Sequence, residues 1–446
     1  MLFSPQIDYV LKSVQSNDVH FVRFWFTDLL GSLKSFAVTS SEVESAFEEG
    51  MGFDGSSIVG FTRIEESDML AYPDPSTFQI LPWRPQINSV ARMFCDIRTP
   101  EGDPFEGDPR HALKRMLAKA AALGYTMNVG PELEFFYFRD AETTVPLDNG
   151  SNFDLTPLDV ASDIRRDTVL SLEHMGIPVE YSHHEAAPSQ HEIDLRYDEA
   201  LSMADAVMTY RLVVKEVAMK HNAYATFMPK PLANQYGNGM HVHQSLSTGD
   251  GVNAFFDADD PQGCNLSAIA KSYIAGILKY APEFTAVTNQ FVNSYKRLVP
   301  GFAAPVYVTW ARRNRSALVR VPHYRPGKET ATRIEVRSPD PSCNPYLVFA
   351  VMLGAGLAGI EEGLELPPEF TSNAYALSDA ELKSRGVTML PNNLGDAIER
   401  FEGSALMREV LGEHIHSFFV RNKREEWSAY CAHISEWELR RYLSVL

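Results

Sequence analysis

Three short stretches of this chain set acidic or imidazole side chains two residues apart. They are Glu132 and Glu134 in Gly-Pro-Glu-Leu-Glu-Phe, His241 and His243 in Gly-Met-His-Val-His-Gln, and Glu335 between Arg333 and Arg337. In an extended strand, residues i and i+2 point to one face. Each stretch therefore aims two charged or ligating groups one way, with apolar residues on the other side. A fourth stretch, from His183, His184 and Glu185 to Gln190, His191, Glu192 and Asp194, adds further carboxylates. Several carboxylates and an imidazole facing one space cannot all stay charged unless cations sit among them. Carboxylate oxygens suit Mg²⁺ or Mn²⁺, and phosphoryl transfer is the chemistry such a cage serves.

Arginines supply the complementary charge. Arg297, Arg312, Arg313, Arg315, Arg320 and Arg325 gather guanidinium groups in a chain whose net charge is −18. Singly, any of them fits a solvated salt bridge. Beside a carboxylate cage they fit clamps for phosphate and carboxylate oxygens. Gly237, Gly239 and Met240, just before His241, suggest a backbone that approaches a ligand closely. Two nucleotide patterns do not apply. Gly354, Gly356 and Gly359 match a dinucleotide fingerprint but lie inside an apolar helical run, and Gly327-Lys328 lacks the rest of a phosphate loop.

The elements that must hold these groups alternate between strand and helix. Residues 20–26 and 33–38 predict a hairpin across Asp28 and Gly31, and residues 39–42 predict a capped helix start. Asp108-Pro109 predicts the start of a helix over 110–123, which Gly124 ends. A strand over 126–138 carries the paired glutamates. Helices follow near 162–175 and 200–221, with strands near 226–229, 241–246, 317–321 and 332–338. Strands returning between helices, several with a polar face, indicate an α+β fold.

At 446 residues, 45% hydrophobic and 22% charged, the chain can bury a large core in two domains. The acidic balance argues against a nucleic-acid partner. The apolar run 346–360 is too short to cross a membrane. No signal peptide is visible, and four scattered cysteines fit a reducing cytoplasm.

Taken in order, eight segments carry a resemblance. They are Phe53-Asp54-Gly-Ser-Ser-Ile, Gly130-Pro-Glu-Leu-Glu134, His183-His-Glu185 with Gln190-His-Glu192, and Phe227-Met-Pro-Lys-Pro231. Then come Gly239-Met-His241, Asn293-Ser-Tyr-Lys-Arg297-Leu-Val-Pro-Gly301, Asn314-Arg315-Ser316 and Glu335-Val-Arg337-Ser. The chain resembles the glutamine synthetase family, type I, over essentially its whole length, and in length the shorter alpha subgroup. The resemblance implies an N-terminal β-grasp domain over 1–103. It also implies a catalytic domain over 104–446 with a curved antiparallel sheet flanked by helices. The implied activity is ATP-dependent ligation of glutamate with ammonia through γ-glutamyl phosphate, with ATP and two or three Mg²⁺ or Mn²⁺ per site. The implied assembly is a cytoplasmic dodecamer of two hexameric rings, without nucleic-acid or membrane partners. By matching positions, one metal set is Glu134, Glu185 and Glu192, and the other is Glu132, His241 and Glu335. Arg297 and Arg337 would hold glutamate, with Glu134 and Gly237 at the same substrate. Arg315 and Arg320 would face the ATP phosphates, with His243 and Arg333 near the nucleotide. Asp54, from an adjacent subunit, would attract ammonium. Asp54, Arg297, Arg315 and Arg337 form the implied catalytic set.

The chain departs from the family pattern near the acceptor. Where the family reads Pro-Gly-Tyr-Glu-Ala-Pro, this chain reads Pro300-Gly301-Phe302-Ala303-Ala304-Pro305, so the proton-accepting glutamate becomes Ala303. Asn152 replaces a tyrosine of the ammonium pocket, and Tyr236 replaces an asparagine that touches the glutamate amino group. A larger, less cation-attracting pocket suits a primary amine with an organic tail. The alternative is therefore a γ-glutamyl-amide synthetase acting on an alkylamine or polyamine. Arg63 matches a position tied to glutamine feedback, or else pairs with Glu65 or Glu66. Tyr375 lacks the flanking sequence of an adenylylated tyrosine. A helix over 423–442 is expected to pack at a subunit contact or to bind a regulator.

Overall fold

The computed structural model of the protein describes residues 4–61, 67–302, 304–323 and 327–446. Arg63, Ala303 and Arg325 lie outside the described residues.

The N-terminal sheet is built on alternation. In strand Val19–Thr27, Phe24 and Phe26 face one side and join a small core with Val22, Val38 and Met93. Helices Pro5–Ser16 and Val43–Glu49 cover that side through Val10, Val14, Val43 and Ala46. Trp25, facing the other way, enters the main core with Leu29 and Phe94. The expected hairpin is present, with Trp25 opposite Ser35 of Leu33–Thr39. Strand Ser89–Arg98 lies parallel to Val19–Thr27 at the centre. Asp68–Pro73 and then Met51–Asp54 complete the path. The helix start expected at 39–42 differs: a 3-10 turn, Ser40–Glu42, precedes Val43–Glu49, and no side chain caps either one. The Thr39 hydroxyl is engaged by Ser41 at 2.9 Å instead.

The helix that follows the N-terminal sheet begins as the sequence predicts. Asp108 caps helix Pro109–Ala122 by accepting from Arg110 N at 2.9 Å, and Gly124 follows with φ +85°. The large sheet runs Tyr307–Ala311, Ala317–Arg320, Ile334–Val336, Met240–Thr248, Tyr125–Phe138, Gln190–Leu195, Val179–His184. Every pairing along this path is antiparallel except the first. Helices Ala200–Lys220, Ala268–Thr288 and Pro345–Glu361 supply the main core behind it. A Cβ on Gly359 would meet Ser272 O at 2.2 Å, so the glycine pattern of Pro345–Glu361 serves close packing on the neighbouring helix. Among the described residues, no helix is long and apolar enough to cross a membrane.

The single helix expected over 423–442 is two. Ala405–Ala432 ends at His433, and Glu436–Tyr442 begins at a Ser435 capping box with Glu438. The terminal arm leaves Ile434, Trp437, Leu443, Val445 and Leu446 exposed.

Candidate active site

Strand register assembles the site in three cross-strand rows on one face of the large sheet. The first row is Arg320, Glu335 and His243. The second is His241, Glu132, Asp194 and Tyr181. The third is Glu134, Glu192 and His183. Directly opposed side chains on one face of a sheet lie about 5 Å apart, so pairing alone concentrates this charge.

The expected set of Glu132, His241 and Glu335 comes together. His241 Nδ1 lies 3.0 Å from Glu132 Oε2 and 3.7 Å from Glu335 Oε1. His243 also reaches it, with Nε2 2.7 Å from Glu132 Oε1, while Arg333 Nε donates to His243 Nδ1 at 3.1 Å. That bond fixes the His243 tautomer, with the proton on Nε2 facing Glu132. Burial pushes the Glu132 carboxyl up, but the bonds from His241 and His243 hold it well below the usual range.

Glu134, Glu185 and Glu192 face one another around His183, whose ring nitrogens lie 3.6 Å from Glu185 Oε1 and 3.8 Å from Glu192 Oε1. Burial, then the Glu185 charge, raises Glu134 to about 8. Burial and then Asp194 push Glu192 well above the carboxylate range. Carboxyls that hold protons because burial and neighbouring like charges disfavour the anion are a donor set that fits divalent cations. Ligand atoms of Glu132, His243 and Glu335, and of His183, Glu185 and Glu192, lie within 4.8 Å of one another in two groups.

The arginines occupy distinct positions. Arg297 is buried and donates to the carbonyls of Arg337, Ser338 and Pro339 at 2.6–3.1 Å. Three of its five N–H donors are so committed. Arg337 Nε donates to Glu335 Oε1 at 3.0 Å, Arg337 Nη1 to the Arg315 carbonyl, and Arg320 Nε to Glu335 Oε2. Arg315 lies exposed at the cavity wall. The close approaches of the glycines are internal. A Cβ on Gly237 would strike Pro229 O at 2.4 Å, and one on Gly239 would strike Arg297 Nη2 at 2.6 Å. Gly239 N also donates to Glu134 Oε2 at 2.6 Å.

Two cavities meet here. The larger, about 550 Å³, is lined by Glu134, Glu185, Glu192, His241, Arg297, Arg315, Arg320, Glu335 and Arg337. Ser151, Asn152, Phe153, Tyr236, Gly237 and Phe302 line it as well. The smaller, about 370 Å³, is lined by Asn128, Glu180, Asp194, Tyr197, His243, Ser245 and Arg333. Glu132 and Tyr181 line both. Asp54 lines neither. It caps a 3-10 turn at the edge of the N-terminal sheet, accepting from Ser56 N at 2.9 Å.

Several lining residues had no role in the sequence reading. Gln190 Nε2 ties Glu134 Oε2, the Gly237 carbonyl and Asn238 Oδ1 together at 3.1–3.2 Å. Its signal was present, because Gln190, Glu192 and Asp194 alternate on one strand. Tyr197, 69% exposed at the smaller cavity, carried no sequence signal.

Comparison with known proteins agrees across the whole chain. The family models described as Glutamine synthetase, catalytic domain, and Glutamine synthetase, beta-Grasp domain, match residues 106–442 and 18–100. A protein of Mycolicibacterium smegmatis named Glutamine synthetase is 54% identical over 446 residues, covering 99% of each chain. A glutamine synthetase of Methanosarcina mazei is 53% identical, covering 98% of this chain and 97% of its own. Among solved structures, "GmaS/ADP complex-Conformation 1" has a TM-score of 0.89 at 33% identity, over 98% of this chain and 99% of that one. A Plasmodium falciparum glutamine synthetase has a TM-score of 0.88 at 26% identity, covering 99% of both chains. With both family domains and relatives above half identity spanning its full length, the chain belongs to the glutamine synthetase family.

Proposed function

We propose that this protein joins glutamate to ammonia at the expense of ATP, through γ-glutamyl phosphate. The observation that carries this is the pair of cavities meeting at Glu132. ATP takes the smaller cavity, where Tyr197 offers an aromatic face and Arg333 and His243 lie toward the phosphates. Glutamate takes the larger one, its carboxylate facing Arg297 and Arg337. Mg²⁺ or Mn²⁺ held by Glu134, Glu185 and Glu192, and by Glu132, His241 and Glu335, would neutralise phosphate charge and orient the terminal phosphate. Arg315 and Arg320 oppose the charge on the transferring phosphoryl group while the γ-carboxylate attacks in line. The acceptor nitrogen then displaces phosphate after losing a proton. Asp54 of a neighbouring subunit is assigned to ammonium. That it lines neither cavity of its own chain supports sharing of sites in a ring, and the exposed C-terminal arm supports a dodecamer. Four free cysteines, Cys95, Cys264, Cys343 and Cys431, accord with a cytoplasmic setting.

Cation binding must displace the proton on Glu134. A carboxyl raised to about 8 is neutral below that pH, so Mn²⁺ affinity is expected to climb as pH rises toward 8 and to flatten above it. Calorimetric titration in two buffers of different ionisation heat reads the released proton. Glu134→Gln should lose that proton release.

The full-length relatives favour ammonia, and a second reading rests on the acceptor edge alone. Asn152, Phe153, Tyr236 and Phe302 are amide and aromatic, with the Tyr236 and Phe302 rings 6.5 Å apart. Ammonium can use such rings only as a small cation on a ring face, whereas the tail of an alkylamine or polyamine would also pack on them. ATP turnover with ammonium against an amine panel decides. Saturation by ammonium, with no amine exceeding it, supports ammonia ligation. An amine with higher kcat/KM would transfer the assignment to γ-glutamyl-amide synthesis, and Asn152→Tyr should then depress amine turnover more than ammonium turnover.

A further inference from the structure

Directly behind the acidic rows, on the other face of the same strands, lies a charged group that the reaction as described does not use. Register sets Phe135, His191 and His184 side by side there. His184 is fully buried. Its Nε2 lies 3.0 Å from Asp148 Oδ1, and its Nδ1 lies 2.7 Å from the Glu185 carbonyl oxygen. Both neighbours are acceptors, so the ring donates from both nitrogens and carries a positive charge against Asp148.

Asp148, His184 and His191 offer ligand atoms within 4.8 Å of one another. Hydrogen bonding argues against an ion among them. Asp148 already accepts from the amides of Ser189 at 2.9 Å and Val160 at 3.3 Å. Arg165, bound through both Nη atoms to Asp159, donates to His191 Nδ1 at 2.9 Å. The group is an ion pair rather than a cation cage.

Two functional segments hang on this pair. Residues 151–153, at the acceptor edge, begin three residues after Asp148. Phe153 N donates to the His184 carbonyl at 3.1 Å, and the Phe153 ring packs on His183 at 4.7 Å. A Cβ on Gly150 would meet His184 Nε2 at 2.6 Å, so the loop backbone rests on the ring. On the other side, His184 grips the backbone of Glu185, whose carboxylate faces the larger cavity.

We propose that the Asp148–His184 pair is a positioning device that sets residues 151–153 and Glu185 as one unit, so that the acceptor edge and a cation-binding carboxylate cannot move independently. The names acceptor and cation rest on the ligase reading above. His184→Gln keeps one donor toward Asp148 and loses the bond to the Glu185 carbonyl. In the full-length enzyme it should raise the acceptor KM about tenfold, leave the glutamate KM nearly unchanged, and weaken one class of bound Mn²⁺ by a similar factor. Equilibrium Mn²⁺ binding reads the last effect without turnover. Asp148→Asn should move the same two readouts. A uniform fall in kcat, with acceptor KM and Mn²⁺ affinity unchanged, would overturn the proposal. Should these variants not fold, Ser189→Ala carries the same expectation in smaller measure. It frees the Leu147 and Asp148 amides that its hydroxyl accepts at 2.7 and 2.9 Å and keeps both charges, so no movement in either readout would overturn the proposal equally. If the wild type turns over no acceptor, the ligase reading fails by itself. Unchanged Mn²⁺ affinity in His184→Gln would still sink the positioning role.

Discussion

Glu132→Gln is expected to lower kcat by about 10³, the loss that follows when a group stabilising transferring charge is removed. Glu132 is one of two described residues lining both cavities, and it accepts from His241 at 3.0 Å and His243 at 2.7 Å. An amide keeps one acceptor and presents N–H to the other imidazole, so donor faces donor. It also deletes the charge that a shared cation needs. Wild type should gain thermal stability on adding Mn²⁺, by mass action, and the variant should lose most of that gain. ADP release with glutamate and acceptor, together with melting curves with and without Mn²⁺, checks both. A variant within tenfold of wild type would remove Glu132 from the reaction.

Arg110→Ala is expected to cost about 3–5 kcal/mol of stability, the range for stranding buried charges. The Arg110 side chain is 4% exposed and pairs with Asp74 at 2.7 Å, Asp96 at 2.5 Å and Asp205 at 3.0 Å. Asp74 and Asp96 belong to the N-terminal sheet region and Asp205 to helix Ala200–Lys220, so one guanidinium locks the two units. Lys114 still reaches Asp96 at 2.5 Å in the variant, but Asp74 and Asp205 lose their cation. Arg110→Met should not recover the loss, because the carboxylates remain. Burial pushes Asp74 and Asp96 up, and Arg110, with Ser76 and Lys114 at Asp74 and Lys114 at Asp96, more than reverses this, leaving both below the ordinary carboxylate range. Their stabilisation is therefore complete above the ordinary range and fades as pH falls through the lowered values. Urea unfolding at neutral and acid pH should show a large gap between wild type and variant that narrows toward acid.

The chemistry of the site was legible wherever it followed period two along one strand. Glu132 with Glu134 and His241 with His243 needed only the pleat. What one strand cannot disclose is its neighbour. Asp194 opposite Glu132, and Glu335 beside His243, depend on antiparallel pairing between segments far apart in sequence. The glycines before His241 signalled close approach, and the contacts include Pro229, Arg297 and Glu134, with Gly237 also lining the larger cavity. Arg297 read as a substrate clamp; it lines the larger cavity, and three of its five donors also secure backbone carbonyls, which a guanidinium count cannot reveal. The helix start expected at residues 39–42 is present as a 3-10 turn leading into Val43–Glu49, but its side-chain cap is not, the Thr39 hydroxyl being engaged by Ser41. The long C-terminal helix failed at His433, where extended backbone and a new capping box interrupt it.

The alternation of Phe24, Trp25 and Phe26 carries a lesson for dissection. One strand feeds two separate interiors, so its rear side is finished only by the larger unit. Severed near residue 103, the leading segment would offer Trp25, Leu29 and Phe94 to water as a sticky plane, and the remainder would lose the lid over its own hydrophobic floor. The two units are consequently expected to hold their shape only as one chain.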